Sequence, residues 1–388
     1  MKILIFLLCM LLAGCSSVPE QQPSTTETPL SPEIAVPAPV PETTVPVIIP
    51  EATDAPDPIR RRISGMSLEE RVGQLFLARC DDSVALEDIE AYHLGGFVLF
   101  AGDFEGQTPD SLRRKLANYQ AAAKTPLLLA VDEEGGTVTR ISRYSAFRDT
   151  PFRSPRSLYS GGGMEAVLLC EKEKAQLLKD LGLNVNLGPV CDITTEPSAF
   201  MYQRSLGQPQ QITSEYIRDA VRQMGSSGIG SCLKHFPGYG NNTDTHTCIA
   251  VDSRLLSQLE EFDLCPFRAG IAAGCDAILI SHTIVQDLDP ELPASLSPTV
   301  HTYLRRNLGF SGVILTDDLV MQAITDVYGA GEAAVLAVLS GNDLLCSTDY
   351  RTQYEAVLTA VLEGRIDIDT LNNAVRNVLE WKEELGLI

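Results

Sequence analysis

The chain has 388 residues, and its 51 acidic and 30 basic side chains give a formal net charge of −21 at pH 7. Such acidity excludes nucleic-acid binding as the main function, because phosphate recognition requires patches of Lys and Arg. It suits a soluble exported protein.

The first fifteen residues have the pattern of an export signal. A basic start is followed by an apolar run over residues 3–12 and by small residues before Cys15. The apolar run is too short to span a bilayer and is typical of a secretory signal. The ending Leu-Ala-Gly-Cys resembles a bacterial lipoprotein box, in which the cysteine becomes the lipidated first residue. We therefore predict an exported cell-envelope lipoprotein, membrane-anchored through Cys15, over the alternatives of a plain signal peptide and a buried hydrophobic N-terminus.

Residues 16–57 are rich in Pro, Thr, Ser and Glu and almost lack aromatic residues. A chain of this composition cannot bury a core, which predicts a disordered linker that holds the domain away from a membrane. Residues 58–388 then form the domain. Its eight cysteines include no Cys-x-x-Cys and no zinc-like spacing with His, so we expect mostly free thiols, no metal and no organic cofactor.

Short apolar runs, separated by longer helix-like segments, recur through residues 58–388. Near-continuous apolar runs predict strands that are buried on both faces, as in a parallel sheet. Segments such as 164–181 and 212–227 have the apolar spacing of helices. Eight such units predict an α/β fold, a (β/α)8 TIM barrel forming a single catalytic domain. The predicted strands cover residues 72–78, 96–101, 126–132, 184–192, 230–235, 277–282, 312–317 and 342–347.

Polar side chains occur at the carboxyl ends of successive predicted strands. In a barrel these ends converge on one mouth, where active sites are built. One such residue could be an ordinary strand-end hydrogen bonder, but a series at the same end of successive strands predicts a functional site. The series is Asp132, Asp192, Lys234, His235, His282 and Asp317.

The run from Lys234 to His246 joins a strand end to a sharply turning loop with an Asp-x-His pair. Lys234 and His235 follow the apolar run 229–233, and the proline and glycines after them turn the chain. Asp244 lies two residues before His246, and a carboxylate beside an imidazole orients the ring and tunes its pKa for proton transfer near neutral pH. Stability of a surface loop does not require this combination.

This run resembles the signature of family 3 glycoside hydrolases in their β-N-acetylhexosaminidase branch, Lys-His-Phe-Pro-Gly-His-Gly followed by Asp-Ser-His. Here Tyr239 stands in place of the second His, Thr245 in place of the Ser, and the spacer before Asp244 is about one residue short. Three other runs resemble the same family in the same order, although Thr137 replaces a usual Arg. They are Asp-Glu-Glu-Gly-Gly-Thr-Val-Thr-Arg at 132–140, Gln-Arg-Ser-Leu-Gly at 203–207 and Gly-Val-Ile-Leu-Thr-Asp-Asp-Leu at 312–319.

The resemblance implies a role for each matching residue. Asp317 would be the nucleophile, and His246, oriented by Asp244, the general acid and base; Asp318 would be a structural or helix-start acid. The residues implied to bind the sugar are Asp132, Arg140, Arg204, Lys234 and His235. The implied reaction is retaining hydrolysis of terminal, non-reducing β-N-acetylglucosamine from saccharides or muropeptides, by a monomer without cofactors.

Three alternatives stay open at this point. A phosphorylase would pass the sugar to phosphate, because a neutral imidazole repels an anionic acceptor less than a carboxylate does. Another exo-glycosidase of family 3, such as a β-glucosidase, would take its acid from a further domain. A wall-binding lipoprotein would bind sugar without turnover.

Overall fold

The structure is a computed structural model that describes residues 57–241 and 250–388. Three predictions lie outside the described residues. They are the lipoprotein signal with Cys15, the linker as far as residue 56, and the Asp244–His246 pair.

Asp57, which the prediction assigned to the linker, is an ordered part of the domain. Its carboxylate accepts the backbone N–H of Arg60 at 3.0 Å and so caps the first helix. The same carboxylate lies 2.7 Å from the Arg376 guanidinium on the last helix. Asp57, the last residue of the predicted linker, therefore makes the contacts of a domain residue.

Ten strands are present in the described part of the chain. In chain order, β1 to β10 are Phe76–Arg79, Gly96–Leu99, Leu128–Val131, Val185–Asn186, Gly230–Phe236, Val251–Asp252, Ala277–Ile280, Ile284–Val285, Val313–Thr316 and Leu345–Ser347. Eight of them form one parallel sheet in the order β10-β1-β2-β3-β4-β5-β7-β9. A parallel bridge between Leu315 and Leu344 links β9 to the segment before β10. The sheet is thus nearly closed and barrel-like, consistent with a TIM barrel, while β6 and β8 form a separate pair.

Helices connect the strands and cover the sheet. In chain order, α1 to α13 are Pro58–Ser64, Leu68–Gln74, Ala85–Tyr92, Pro109–Ala122, Pro155–Leu181, Gln210–Ser227, Leu256–Glu261, Leu264–Ala272, Pro298–Thr302, Gln322–Tyr328, Ala330–Ser340, Tyr350–Leu362 and Ile368–Glu384. Among the described residues no single helix meets the length and hydropathy of a membrane span; α10 and α11 meet them only as a pair, bent by 102°.

The strands are buried on both faces, as their near-continuous apolar runs predicted. Successive residues of a strand point to opposite faces. In β1, Leu77 packs in a cluster with residues of the other strands and Trp381, which fills the interior of the sheet. Its neighbours Phe76 and Ala78 belong to the cluster that packs against the helices. Two apolar layers therefore hold the strands, and only the strand ends remain for polar residues.

The eight predicted strands match the eight strands of the main sheet in order, but several boundaries were wrong and the β6–β8 pair was not predicted. Residues 72–74 belong to α2, whose first turn is fixed by a capping box between Ser67 and Glu70. Within 184–192 only Val185–Asn186 is strand, with one further bridge from Val190 to Lys234. Apolar periodicity over short runs does not separate the last turn of a buried helix from a strand.

Candidate active site

The carboxyl ends of the strands surround a cavity of about 880 Å³. Six predicted site residues line it, although they come from four separate stretches of the chain. They are Asp132, Arg140, Arg204, Lys234, His235 and Asp317. Four of them, Asp132, Lys234, His235 and Asp317, stand at strand ends, and they meet here because a parallel sheet that closes on itself brings these ends together.

Glu134, for which no role was predicted from the sequence, is the centre of the charge network on one wall. Its carboxylate accepts two bonds from Arg204, at 2.9 and 2.7 Å, and one from Lys234 Nζ at 2.7 Å. Lys234 Nζ also donates to Asp132 at 2.6 Å, and Asp132 lies 3.6 Å from Arg140. The second Glu of the Asp-Glu-Glu run is the only sequence signal that marks this residue.

The charges of this wall stabilise one another. Burial alone would raise the pKa of Glu134, but Arg204 and Lys234 outweigh it and hold that pKa well below its usual range. Burial alone would lower the Lys234 pKa, but Asp132 and Glu134 outweigh it and raise it. All these groups are charged at neutral pH, so the wall offers fixed donors and acceptors to neutral hydroxyl groups.

Asp192 holds His235 from behind and does not line the cavity. Its carboxylate accepts His235 Nδ1–H at 2.8 Å, the His235 backbone N–H at 3.1 Å and the Tyr239 backbone N–H at 2.7 Å. A carboxylate at Nδ1 fixes the proton there, so Nε2 accepts from Arg204 Nη2 at 3.2 Å. The prediction that Asp192 belongs to the mouth is wrong, since the side chain is buried beneath it.

Tyr239, where the family pattern has a histidine, is packed into the site. Its ring is buried, lines the cavity and meets the His235 ring edge-on, with 5.2 Å between centroids. It also meets the Phe200 ring at 5.6 Å. At this position a larger phenol ring therefore takes the place of the imidazole of the family pattern.

Asp317 lies half-buried at the end of β9 and faces the cavity. Its Oδ1 accepts the backbone N–H of Asp318 at 2.9 Å, and within residues 57–241 and 250–388 no cationic side chain forms an ion pair with it. Asp318 instead ties two loops together, because it accepts from Thr348 Oγ1 at 2.5 Å and from the Val320 backbone N–H at 3.2 Å. Asp318 has the contacts of a structural acid.

His282 supports the Asp317 loop from below. It is completely buried, donates through Nε2 to the Asp318 carbonyl at 3.1 Å and lies 2.7 Å from Ser295 Oγ through Nδ1. Because Asp318 follows Asp317 directly, this bond fixes the backbone that carries the cavity carboxylate. The prediction that His282 lies in the mouth is wrong; the residue acts one layer beneath it.

Arg79 and Phe100 also line the cavity, and the sequence analysis missed both. The guanidinium of Arg79 lies 4.1 Å from the Phe100 ring centroid, and that of Arg140 lies 5.3 Å from it. These distances are those of cation–π contacts. Both residues stand at strand ends, which was the available signal.

The sequence and the fold match a known enzyme family. Residues 67–381 match the glycosyl hydrolase family 3 N terminal domain. The chain belongs to glycosyl hydrolase family 3. It is a glycoside hydrolase, as its curated relatives also indicate. A beta-hexosaminidase of Stenotrophomonas maltophilia (strain K279a) is 36% identical over 287 residues, which cover 70% of this chain and 84% of the relative. A beta-hexosaminidase of Nitrosomonas eutropha is 33% identical over 290 residues, or 70% and 81% of the two chains.

Solved structures of the family have the same fold. A family 3 β-N-acetylglucosaminidase from Paenibacillus sp. str. FPU-7 is 32% identical with a TM-score of 0.78, and the match covers 83% of this chain and 63% of that one. This chain thus spans less than two thirds of the Paenibacillus enzyme. A family 3 glycosyl hydrolase from Mycobacterium smegmatis is 26% identical with a TM-score of 0.74, covering 82% of this chain and 98% of that one.

The residues on either side of the segment that carries Asp244 and His246 are held by contacts with other parts of the domain, and Tyr239 on the first side lines the cavity. On the first side, Gly238 has φ 117°, which L side chains rarely adopt, and an added Cβ would lie 2.9 Å from the Asp263 side chain. On the second side, the Ala250 carbonyl accepts the Ile284 N–H at 2.9 Å. The described residues therefore fix where this segment leaves and rejoins the barrel.

One cluster outside the cavity has the composition of a metal site. The ligand atoms of Cys80, Asp82 and Asp103 lie within 4.8 Å of one another. The Lys115 ammonium already lies 2.7 Å from Asp82 and supplies positive charge there. The seven described cysteines are free thiols, as predicted for most of them; Cys248 lies outside the described residues.

Proposed function

We propose that this family 3 glycoside hydrolase is an exo-acting β-N-acetylhexosaminidase that removes terminal, non-reducing β-N-acetylglucosamine with retention of configuration. The proposal depends on one observation: some carboxylates of the cavity are paired with cations, and one is not. Asp132 and Glu134 are neutralised by Lys234 and Arg204, whereas Asp317 faces the same space without a cation partner among the described residues. The curated relatives are named beta-hexosaminidases, and the Paenibacillus relative is named a β-N-acetylglucosaminidase, which supports the choice of sugar.

In the proposed mechanism, the wall built on Glu134 binds the sugar hydroxyls and presents the anomeric carbon to Asp317. The Asp317 carboxylate attacks this carbon and forms a glycosyl-enzyme, while an acid protonates the leaving oxygen. His246, oriented by Asp244, is the proposed acid and then the base that activates water. A carboxylate beside the imidazole stabilises the imidazolium that forms in the second step.

The first test compares neighbouring carboxylates of one cavity. The assay measures nitrophenol release from the nitrophenyl β-N-acetylglucosaminide by the full chain, by Asp317→Asn and by Asp318→Asn. Loss of a nucleophile lowers kcat by about 10³-fold or more, whereas Asp318→Asn should keep most of its activity after correction for folded fraction. Full activity of Asp317→Asn would refute the nucleophile assignment.

His246 is tested by chemical rescue. A nitrophenol leaving group needs little protonation, so His246→Ala should form the glycosyl-enzyme and then hydrolyse it slowly. Added azide should restore turnover and give the β-configured glycosyl azide, because the anion needs no base to attack. An α-configured azide would contradict the retaining mechanism.

The phosphorylase alternative is an outcome of the same assay. Turnover that requires phosphate and yields a sugar phosphate would support transfer to phosphate, while equal turnover without phosphate supports hydrolysis. Hydrolysis of glucosides in preference to N-acetylglucosaminides would support another family 3 exo-glycosidase, and sugar binding without turnover would support the wall-binding lipoprotein.

We further propose that the enzyme acts on peptidoglycan fragments as a monomer anchored to the cell envelope through a lipid on Cys15. The Leu-Ala-Gly-Cys ending and the Pro-rich composition of residues 16–56 support this location. Palmitate labelling should mark the wild-type chain and be lost in Cys15→Ser. Equal labelling of both chains would exclude Cys15 as the anchor.

A further inference from the structure

A buried polar cluster, formed by Glu171, Lys174 and Tyr216, lies directly behind the Glu134 wall. Lys174 Nζ donates to the Glu171 carboxylate at 2.7 Å and to the Glu134 backbone carbonyl at 2.7 Å. Glu171 also accepts the Tyr216 hydroxyl at 3.1 Å. The cluster joins α5, α6 and the loop after β3 at one point.

Stability alone does not account for these charges. Lys174 and Glu171 are only 2% and 3% exposed, at a helix interface where apolar side chains usually pack. Removing two charges from water is costly, and apolar replacements of similar volume are often equally stable. Burial lowers the Lys174 pKa, but Glu171 outweighs it and raises it, so the ammonium stays charged.

Glu134 connects the cluster to the cavity. The carbonyl of Glu134 is held by Lys174, while its carboxylate holds Arg204 and Lys234. The N–H of the same peptide group, which belongs to Gly135, donates to the Val138 carbonyl at 3.0 Å. Loss of the Lys174 bond would free one side of this peptide and move the carboxylate that orients both cations.

We propose that Lys174, supported by Glu171 and Tyr216, is a positioning residue for sugar recognition. It fixes the Glu134 peptide and thereby the direction in which Arg204 and Lys234 present their N–H groups to the sugar. This inference rests on the proposed function, in which those cations bind the substrate. It adds residues of α5 and α6, outside the cavity, to the determinants of substrate affinity.

The test uses three variants of the full chain. Lys174→Met removes the bond to Glu134, but it leaves Glu171 buried without its cation and can unfold the domain. A triple variant, Lys174→Met with Glu171→Leu and Tyr216→Phe, removes the whole cluster at similar volume. Lys172→Met is the matched control, since Lys172 is exposed on the same helix.

The first measurement does not depend on catalysis. Arg204 Nη2 lies 3.2 Å from His235 Nε2, so a moved guanidinium changes the Nε2 signal in a long-range ¹H–¹⁵N spectrum. The chain has only five histidines, which makes the spectrum simple to assign. The triple variant should shift the His235 signals and leave those of His93 and His301 unchanged.

The second measurement determines KM and kcat separately for each variant. The triple variant should keep the wild-type unfolding midpoint, raise KM for the nitrophenyl β-N-acetylglucosaminide about tenfold and change kcat by less than about threefold. Lys172→Met should match the wild type throughout. Within residues 57–241 and 250–388 the cluster makes no contact with Asp317, the proposed nucleophile, so kcat should change less than KM.

Two outcomes would count against different statements. A folded triple variant with wild-type KM and an unchanged His235 signal would overturn the positioning role and leave the cluster as a structural element. A wild-type chain that neither binds nor cleaves the glycoside would overturn the proposed function, while the His235 signal would still decide whether Lys174 positions Arg204.

Discussion

Replacing Asp192 with Asn should destabilise the domain and disorder His235, although the side chain keeps its shape. Three N–H groups converge on the two oxygens of this buried carboxylate, at 2.7, 2.8 and 3.1 Å. An amide offers one oxygen and one NH2 group. Whichever way the Asn amide is turned, its NH2 group then faces at least one backbone N–H, that of His235 or that of Tyr239, so two donors meet.

The magnitude follows from the number of bonds. A hydrogen bond to a charged group contributes about 1.5–3 kcal/mol and a neutral one about 1 kcal/mol, while a buried donor left unpaired costs about 1–3 kcal/mol. One lost bond and two weakened bonds therefore sum to about 3 kcal/mol. When the NH2 group faces Nδ1, the ring proton moves to Nε2, where it meets the Arg204 guanidinium 3.2 Å away.

Urea unfolding of Asp192→Asn and of the wild type gives the stability difference if both have the same m-value. Nitrogen chemical shifts of His235 report the tautomer, and KM for the N-acetylglucosaminide should rise about tenfold. Asp149→Asn, the same change at an exposed position, is the control. Stability within about 0.5 kcal/mol of wild type, together with an Nδ1-protonated His235 and unchanged KM, would refute the reasoning.

Three further predictions concern stability and surface chemistry. Asp318→Asn should lower unfolding stability by about 1–2 kcal/mol, measured by urea titration, because the bond to Thr348 weakens; a rise in stability would contradict the structural role. Burial lowers the pKa of Lys382 from 10.5 to about 7. Between pH 7 and pH 10.5 the unfolded chain therefore binds a proton that the folded chain has lost. The free energy of unfolding of the wild type then rises with pH by up to about 1.4 kcal/mol per pH unit. Lys382→Met should therefore be more stable than the wild type at pH 7 and below, although Gln74 loses a 2.7 Å hydrogen bond from Lys382. A stability difference between the two chains that stays the same from pH 6 to pH 10 would count against this account. A thiol reagent should modify Cys265 first among the seven described cysteines, since the other six are buried, and peptide mapping that finds Cys232 modified first would contradict the burial pattern.

Much of the fold could be predicted from the sequence, because the patterns that indicate strands and helices lie within short stretches of the chain. Near-continuous apolar runs indicate strands buried on two faces, and polar residues at their ends mark the mouth. Asp132, Lys234, His235 and Asp317 were found in this way, and Arg140 and Arg204 by resemblance to family motifs. Strand boundaries were less certain, because residues 72–74 continue the apolar pattern although a capping box places them in a helix.

The sequence alone determined that eight strand-and-helix units follow a Pro-rich segment and that polar groups gather at one end of the strands. Only the tertiary structure decided which of those groups face the cavity and which support it from beneath. Asp192 and His282 have the same strand-end position as Asp317, yet both are buried behind the mouth. Glu134 and Lys174, 40 residues apart in the chain, become partners through the packing of α5 against the sheet. The reason is physical: the direction of a side chain at a strand end, and the partner it meets, depend on contacts between distant segments that no local pattern records.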